Sequence, residues 1–260
     1  MKIKERKVSI DGLTVYYKCV GNPTATPVVF LHGIGGSYSG ETRVDKLLLE
    51  LGKHFRVYAP GHPGQKHSDP PRRPWGSQEY SDYIREFIGK LGIQNPVIWG
   101  QSFGARVAAS YAGRYQDIRL LVLSGPAIGF PDLWLYRIVA YHLIVPCLEF
   151  CLSSKWSPGL LKKHMVSRYL SVPGKIDFRK YEVMGKTLGK FMRENMLGYL
   201  QKQLIKVVFI WGSNDWIIPV AQGRAWHGRL PTSKYYELDG SHFVIYEKTG
   251  EVIDILKAGL

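Results

Sequence analysis

The strongest constraint in this sequence is a serine that lies between two glycines, where a strand pattern changes into a helix pattern. The apolar run 97–99 leads into Gly100-Gln101-Ser102-Phe103-Gly104, and small residues with helical spacing follow. So sharp a turn leaves no room for side chains two residues before and after the serine, so glycine fits both positions. The turn exposes the hydroxyl above a helix N-terminus, whose partial positive charge favours an anionic oxygen. Ser102 is therefore the candidate nucleophile.

A serine nucleophile needs a general base and an acid that orients the base. His242 lies in a short turn after the strand pattern 233–238, where a loop can carry an imidazole to the serine. Asp215 closes another buried-strand pattern, 207–215, which ends in a glycine turn. Along the chain the nucleophile comes first, then the acid, then the base. This is the order expected when the serine lies on such a strand–turn–helix. Asp239 is the alternative acid, but it would have to fold back from the loop of the base itself.

Oxyanion donors are expected at the glycine-rich turn that follows the apolar strand pattern 27–31. This turn reads His32-Gly33-Ile34-Gly35-Gly36, and its glycines let backbone amides approach a ligand closely. We predict that the N–H groups of Ile34 and Phe103 form the oxyanion hole. We interpret His32 as a residue that structures this loop rather than as a catalytic one.

Five segments, taken together and in this order, resemble the α/β-hydrolase family over essentially the whole chain. They are His32–Gly35, Ala59–Gly64, Gly100–Gly104, Trp211–Asp215 and Gly240–Phe243. Two positions depart from the family pattern: Gly61 stands where an aspartate is usual, and Ala105 where a second glycine is usual. Neither departure removes a catalytic group. Family members that hydrolyse epoxides or carbon–halogen bonds have an aspartate at the position of Ser102, so the serine argues against both activities.

Short apolar strand patterns alternate with helix patterns, which favours a parallel sheet covered by helices on both faces. The strands are predicted near 13–19, 27–31, 55–59, 96–100, 119–124, 206–211 and 233–238, and the helices near 41–52, 77–91, 102–114, 219–229 and 243–257. We therefore predict an α/β fold with a mostly parallel central sheet, whose core comprises residues 1–125 and 206–260. Ligands of such sheets bind at the carboxyl ends of the strands.

No strand pattern interrupts residues 126–205, and the family resemblance implies that this insertion is a helical cap, or lid, over the site. Its segment 134–150 is apolar on nearly every side, which indicates a helix that is buried or contacts a ligand. The interruptions at Arg137, Pro146 and Glu149 argue against a membrane span. The residues of this segment that we predict to line a substrate pocket are Trp134, Tyr141 and Leu143.

The chain carries a formal net charge of +14, and +8 of it falls between residues 126 and 206, where thirteen lysines and arginines face five acidic residues. This basic excess is compatible with a solvated surface. It also fits an acidic carrier protein that presents an acyl chain, an anionic membrane surface or an anionic substrate, because each is attracted by such a field. No recognition motif accompanies the charge, so nucleic acid is not an expected partner.

Metal, disulfide and targeting signals are weak in this sequence. His62, His67 and Asp69 lack a further converging ligand, so no metal site is predicted. Three cysteines do not make a disulfide framework, and we interpret Cys147 and Cys151 as small buried apolar residues. The charged N-terminal segment is not followed by an apolar run, so no secretory signal is predicted and a cytoplasmic location is expected.

The sequence thus predicts a cofactor-free serine hydrolase that cleaves a carboxylic ester or thioester through an acyl-enzyme. Cleavage of a carbon–carbon bond and perhydrolysis use the same three residues, so these reactions remain alternatives. A protein that keeps this fold to bind an apolar ligand with little turnover is a further alternative. Nothing in the motifs specifies the substrate.

Overall fold

The computed structural model describes most of the chain outside the insertion. The described residues are 1–33, 43–65, 67–126, 183, 186, 187, 190, 191, 194, 196–201 and 204–260. Helices and strands are numbered in chain order within these residues. The predicted boundaries of the insertion, 126–205, therefore stay a prediction.

The described residues form an eight-stranded sheet with the strand order β1-β2-β4-β3-β5-β6-β7-β8. The strands are β1 (Lys4–Ile10), β2 (Leu13–Val20), β3 (Pro27–Leu31), β4 (Arg56–Pro60), β5 (Val97–Gln101), β6 (Leu120–Ser124), β7 (Val207–Gly212) and β8 (Lys234–Leu238). β2 is antiparallel to β1 and to β4, and every pairing from β4 across to β8 is parallel. The predicted mostly parallel sheet is confirmed.

Helices cover both faces of this sheet. They are α1 (Arg43–Gly52), α2 (Ser77–Lys90), α3 (Phe103–Ala112), α4 (Leu197–Leu200), α5 (Val220–Arg229), α6 (Val244–Glu247) and α7 (Thr249–Gly259). Neighbouring residues of one strand belong to different cores, because their side chains point to opposite faces. Val29 and Ile98 lie in the core under α2, α3 and α5, whereas Val28 and Trp99 lie in the core under α1, α6 and α7.

The local structure differs from the sequence prediction at three places. β1 is absent from the prediction, because of its seven residues only Ile10 is buried and the strand is held by backbone pairing with β2. The predicted helix 243–257 is two helices, since the backbone at Lys248 (φ −120°, ψ 43°) breaks it. The helix predicted to start at residue 102 starts at Phe103, because Ser102 itself has a non-helical backbone.

Candidate functional site

Ser102 occupies a strained turn between β5 and α3. Its backbone has φ 53° and ψ −114°, a positive φ that residues with a side chain rarely adopt. The Ser102 N–H donates a hydrogen bond of 2.9 Å to the carbonyl oxygen of Ser124 at the end of β6, which ties the turn to the neighbouring strand. Strain of this kind costs on the order of 1–3 kcal/mol and is typical of functional sites.

The two glycines that flank this turn are required by close backbone contacts. A Cβ at Gly100 would overlap the Cα of Ala105, and a Cβ at Gly104 would overlap the carbonyl oxygen of Leu31 at the end of β3. α3 therefore packs directly on the sheet edge. Ala105, which replaces the family's usual glycine, is fully buried in the same contact.

Asp215 and His242 form a buried hydrogen-bonded pair. Asp215 follows β7 and His242 follows β8, and the distance from His242 Nδ1 to Asp215 Oδ2 is 2.7 Å. The other carboxylate oxygen, Oδ1, accepts the N–H groups of Ile217 at 2.9 Å and Ile218 at 2.7 Å. Because both oxygens are occupied, the carboxylate is held in one orientation toward the imidazole.

Asp239, the alternative acid, lies elsewhere. It is exposed, and its Oδ1 accepts a hydrogen bond of 3.2 Å from Asn214 Nδ2. Of the two aspartates, the one in hydrogen-bond contact with the imidazole is therefore Asp215.

The loop that carries His242 is organised by Glu247, a residue with no signal in the sequence pattern. Glu247, on α6, accepts the Ser241 N–H at 2.9 Å and the Ser241 hydroxyl at 2.5 Å. The Ser241 hydroxyl oxygen in turn accepts the N–H of Phe243 at 3.1 Å. These bonds fix the residues on both sides of His242. A glutamate six residues after a loop serine is too common a pattern to indicate such a role.

Ser102, Asp215 and His242 lie at one edge of the sheet, because each follows the carboxyl end of a parallel strand. Gly125, with φ 48° at the end of β6, lies beside the Asp215–His242 pair: a Cβ there would be 3.2 Å from Asp215 Oδ2 and from His242 Nδ1. Among the hydrogen bonds of the described residues, none joins the Ser102 hydroxyl to the imidazole. Such bonds are often long without substrate and tighten when substrate binds.

Of the two predicted oxyanion donors, Phe103 and Ile34, only Phe103 is among the described residues. Phe103 is the first residue of α3, so its N–H is among the amides that a helix leaves without an intrahelical partner. Gly33 lies beside the nucleophile turn, since a Cβ there would overlap Gln101 Oε1 and would be 3.3 Å from Ser102 Cβ. Ile34, the other predicted donor, lies outside the described residues.

Two buried histidines hold the turn at Gly33. His32 Nδ1 is 2.7 Å from the carbonyl oxygen of Gly33, and His62 Nε2 is 2.8 Å from the carbonyl oxygen of His32. Burial lowers the pKa of His62 to about 4, so this imidazole is neutral at neutral pH and Nε2 is the donor. The contacts agree with the loop-structuring role expected of His32.

The predicted pocket residues and the cysteine pair of the insertion lie outside the described residues. They are Trp134, Tyr141, Leu143, Cys147 and Cys151. None of the helices formed by the described residues is both long and apolar enough to cross a membrane.

Comparisons with known proteins agree on the fold, which is that of the α/β hydrolases. The family model for the alpha/beta hydrolase fold matches residues 26–143. YugF, an uncharacterized hydrolase of Bacillus subtilis, is 24% identical over 270 residues, which is 95% of this chain and 94% of YugF. The enol-lactonase from Burkholderia xenovorans LB400 has a TM-score of 0.73 at 19% identity, covering 98% of this chain and 99% of that one. The esterase RhEst1 from Rhodococcus sp. ECU1013 has a TM-score of 0.67 at 20% identity, covering 99% and 98%. At these identities the likeness of the solved structures is one of fold.

Proposed function

The chain has the α/β-hydrolase fold, and on this premise we propose that it is a serine hydrolase that cleaves carboxylic esters or thioesters through an acyl-enzyme. The observation that carries the proposal is the buried Asp215–His242 pair, 2.7 Å between Nδ1 and Oδ2, at the same sheet edge as Ser102. A carboxylate that accepts the Nδ1 proton leaves Nε2 as the basic nitrogen of the imidazole. That is the tautomer a general base for a serine needs.

The reaction follows from these roles. His242 Nε2 takes the proton of the Ser102 hydroxyl as Oγ attacks the acyl carbon, and Asp215 stabilises the imidazolium that forms. The N–H groups of Phe103 and Ile34 bind the oxyanion, and the imidazolium then protonates the leaving alcohol or thiol. Water attacks the acyl-enzyme by the same route and restores the free serine. The proposed reaction uses no cofactor or metal ion in any of these steps.

The acyl or aromatic group of the substrate is proposed to lie under the cap, against Trp134, Tyr141 and Leu143. An apolar segment within a basic insertion supports this arrangement. The names of two structural relatives, an enol-lactonase and an esterase, agree with an ester substrate. An acidic carrier protein or an anionic membrane surface as partner of the basic insertion, and a cytoplasmic location, stay predictions.

A panel of nitrophenyl esters of rising acyl length, run beside a serine-directed phosphonate, tests the proposal. The wild-type protein is expected to hydrolyse at least one ester and to lose that activity as one phosphonate attaches to Ser102. Ser102→Ala should lower turnover by several orders of magnitude while the fold persists. Ser9→Ala, an exposed serine on β1, is the matched control and should retain full activity.

Three outcomes would contradict the proposal. Retention of more than about a tenth of wild-type activity by Ser102→Ala would place the chemistry elsewhere, since loss of a nucleophile costs far more than that. Tight binding of an apolar ester without turnover and without phosphonate labelling would favour a binding protein. Turnover of a diketone or formation of a peracid, with no ester cleavage, would assign the same residues to the carbon–carbon or perhydrolase reaction.

A further inference from the structure

Arg106 is a fully buried cation on α3, the helix that follows the candidate nucleophile. It lies one turn into α3, and its backbone N–H donates a hydrogen bond of 3.3 Å to the carbonyl oxygen of Ser102. A buried guanidinium is costly unless its donors are used. The partners of its side chain therefore indicate what the residue holds in place.

The guanidinium binds the C-terminal end of the insertion. Nε of Arg106 donates to the carbonyl oxygen of Phe191 at 2.7 Å, and Nη2 donates to the carbonyl oxygens of Phe191 and Glu194. We call Thr187, Lys190, Phe191 and Glu194 the return segment, because they precede the point where the chain re-enters the core. Bonds from a charged donor are stronger than neutral ones. Arg106 thus connects the nucleophile helix to the return segment.

The return segment is also bonded to the start of α2. The Glu194 carboxylate accepts the Ser77 N–H at 3.1 and 3.2 Å, which caps the helix N-terminus. The N–H of Trp75 donates to the Thr187 hydroxyl at 3.1 Å. The segment is therefore fixed at two places besides Arg106.

The Phe191 ring connects the return segment to Phe103, the residue that follows the nucleophile. Its ring stacks on Tyr80 at 4.9 Å between centroids and meets the Phe103 ring edge-on at 5.5 Å. The Arg106 Cζ lies 5.0 Å from the centroid of the Phe191 ring. Phe191 and Phe103 are both buried, so a shift of one ring displaces the other.

We propose that Arg106 is a positioning residue that holds Phe191 against Phe103 and so fixes the oxyanion donor at the nucleophile turn. This inference rests on the proposed function, because it takes the Phe103 N–H as that donor. It also gives the insertion a second role, since its return segment stabilises the geometry of the site in addition to any contact with substrate. A misplacement of about 1 Å at a catalytic group costs roughly a hundredfold in rate.

The test compares Arg106→Met, Arg106→Lys and Phe191→Leu with Arg114→Met. Arg114 follows the same helix, and its guanidinium donates to the side chains of Gln78 and Ser77 on α2. Each variant is assayed for kcat and KM with a neutral nitrophenyl ester, for inhibition by a boronic acid that forms a tetrahedral adduct with the serine, and for thermal unfolding.

Arg106→Met is expected to lower kcat about tenfold to a hundredfold and to weaken boronic acid inhibition by the same factor, with KM changed less than about twofold. Arg106→Lys should recover part of the loss, because an ammonium can still donate to a carbonyl. Arg114→Met should match the wild type. A purely structural role would lower the unfolding temperature and leave kcat and boronic acid affinity unchanged, and this result would overturn the proposal.

Phe191→Leu protects the test against misfolding, since it keeps an apolar side chain and all backbone acceptors. If Arg106→Met does not fold, an unchanged kcat and boronic acid affinity in Phe191→Leu overturns the proposal by itself. If the wild-type protein neither hydrolyses esters nor takes the phosphonate, the proposed function fails and this inference fails with it. If the wild type is active and the Arg106 variants are equally active, only this inference fails.

Discussion

Replacement of Asp215 by asparagine is expected to reverse the tautomer of His242. Oδ1 of Asp215 accepts the N–H groups of Ile217 and Ile218, which only an oxygen atom can do. The amide oxygen of the asparagine therefore keeps that position, and its NH₂ group takes the position of Oδ2, 2.7 Å from His242 Nδ1. An NH₂ group only donates, so Nδ1 must become an acceptor and the imidazole proton moves to Nε2. That nitrogen can then no longer accept the proton of Ser102.

The expected loss is about 10⁴-fold in kcat, the size seen when a triad acid is replaced by its amide. This factor corresponds to about 5.5 kcal/mol of lost transition-state stabilisation. The fold should persist, because the two backbone hydrogen bonds to Oδ1 remain. The assay is kcat with a nitrophenyl ester at pH 8, with circular dichroism as the check on folding.

Asp239→Asn is the matched control for this prediction. Asp239 is exposed and its described hydrogen bond comes from Asn214 alone, so the variant should stay within about twofold of the wild type. Asp215→Asn with more than a tenth of wild-type kcat would refute the tautomer argument. A larger loss in Asp239→Asn than in Asp215→Asn would reassign the acid.

Two further predictions concern pH and salt. Burial lowers the pKa of His62 from 6.5 to about 4, so the folded protein binds fewer protons than the unfolded chain between these pH values. The free energy of unfolding should therefore fall as the pH drops from 6.5 to 4, by up to roughly 3 kcal/mol. His62→Gln, which keeps a donor for the His32 carbonyl, should flatten the pH dependence of this free energy, measured by urea unfolding at several pH values. The same pH dependence in the variant and the wild type would contradict the assignment to His62. Exposed charges are screened over about 8 Å at physiological salt, so KM for an anionic ester should rise with ionic strength while KM for a neutral ester stays constant. Charge reversal at Lys162, Lys163 and Arg168, three of the basic residues of the insertion, should remove this difference without changing turnover of the neutral ester. Equal salt responses of the two esters in the wild type would show that the basic excess is only a solubility feature.

The central sheet and its turns could be predicted from the sequence because each depends on neighbouring residues alone. A buried parallel strand needs a short apolar run, and a close turn needs glycine, as at Gly100 and Gly104. β1 could not be predicted, because its residues are mostly charged and exposed and the strand exists through its pairing with β2. The sequence favours Asp215 over Asp239 since Asp215 closes a core strand, and the structure brings it to the imidazole.

The supporting residues of the site could not be predicted in this way. Arg106 lies in a helix pattern where an arginine normally indicates an exposed face, yet it is fully buried. Its partners, Phe191 and Glu194, are more than eighty residues away in the chain. Glu247 acts through a loop whose shape depends on hydrogen bonds that no pattern of residue types reveals. Such roles depend on tertiary contacts, which a single sequence does not display.

The backbone of Ser102 has a consequence for how variants of this protein would spread under selection. A serine at φ 53° and ψ −114° is strained by an amount on the order of 1–3 kcal/mol, which is a large part of the stability of an ordinary domain. Glycine relieves that strain at the same position. A screen that rewards heat resistance without measuring turnover would therefore enrich Ser102→Gly, and the most heat-resistant members of such a library would be the ones that had lost their nucleophile.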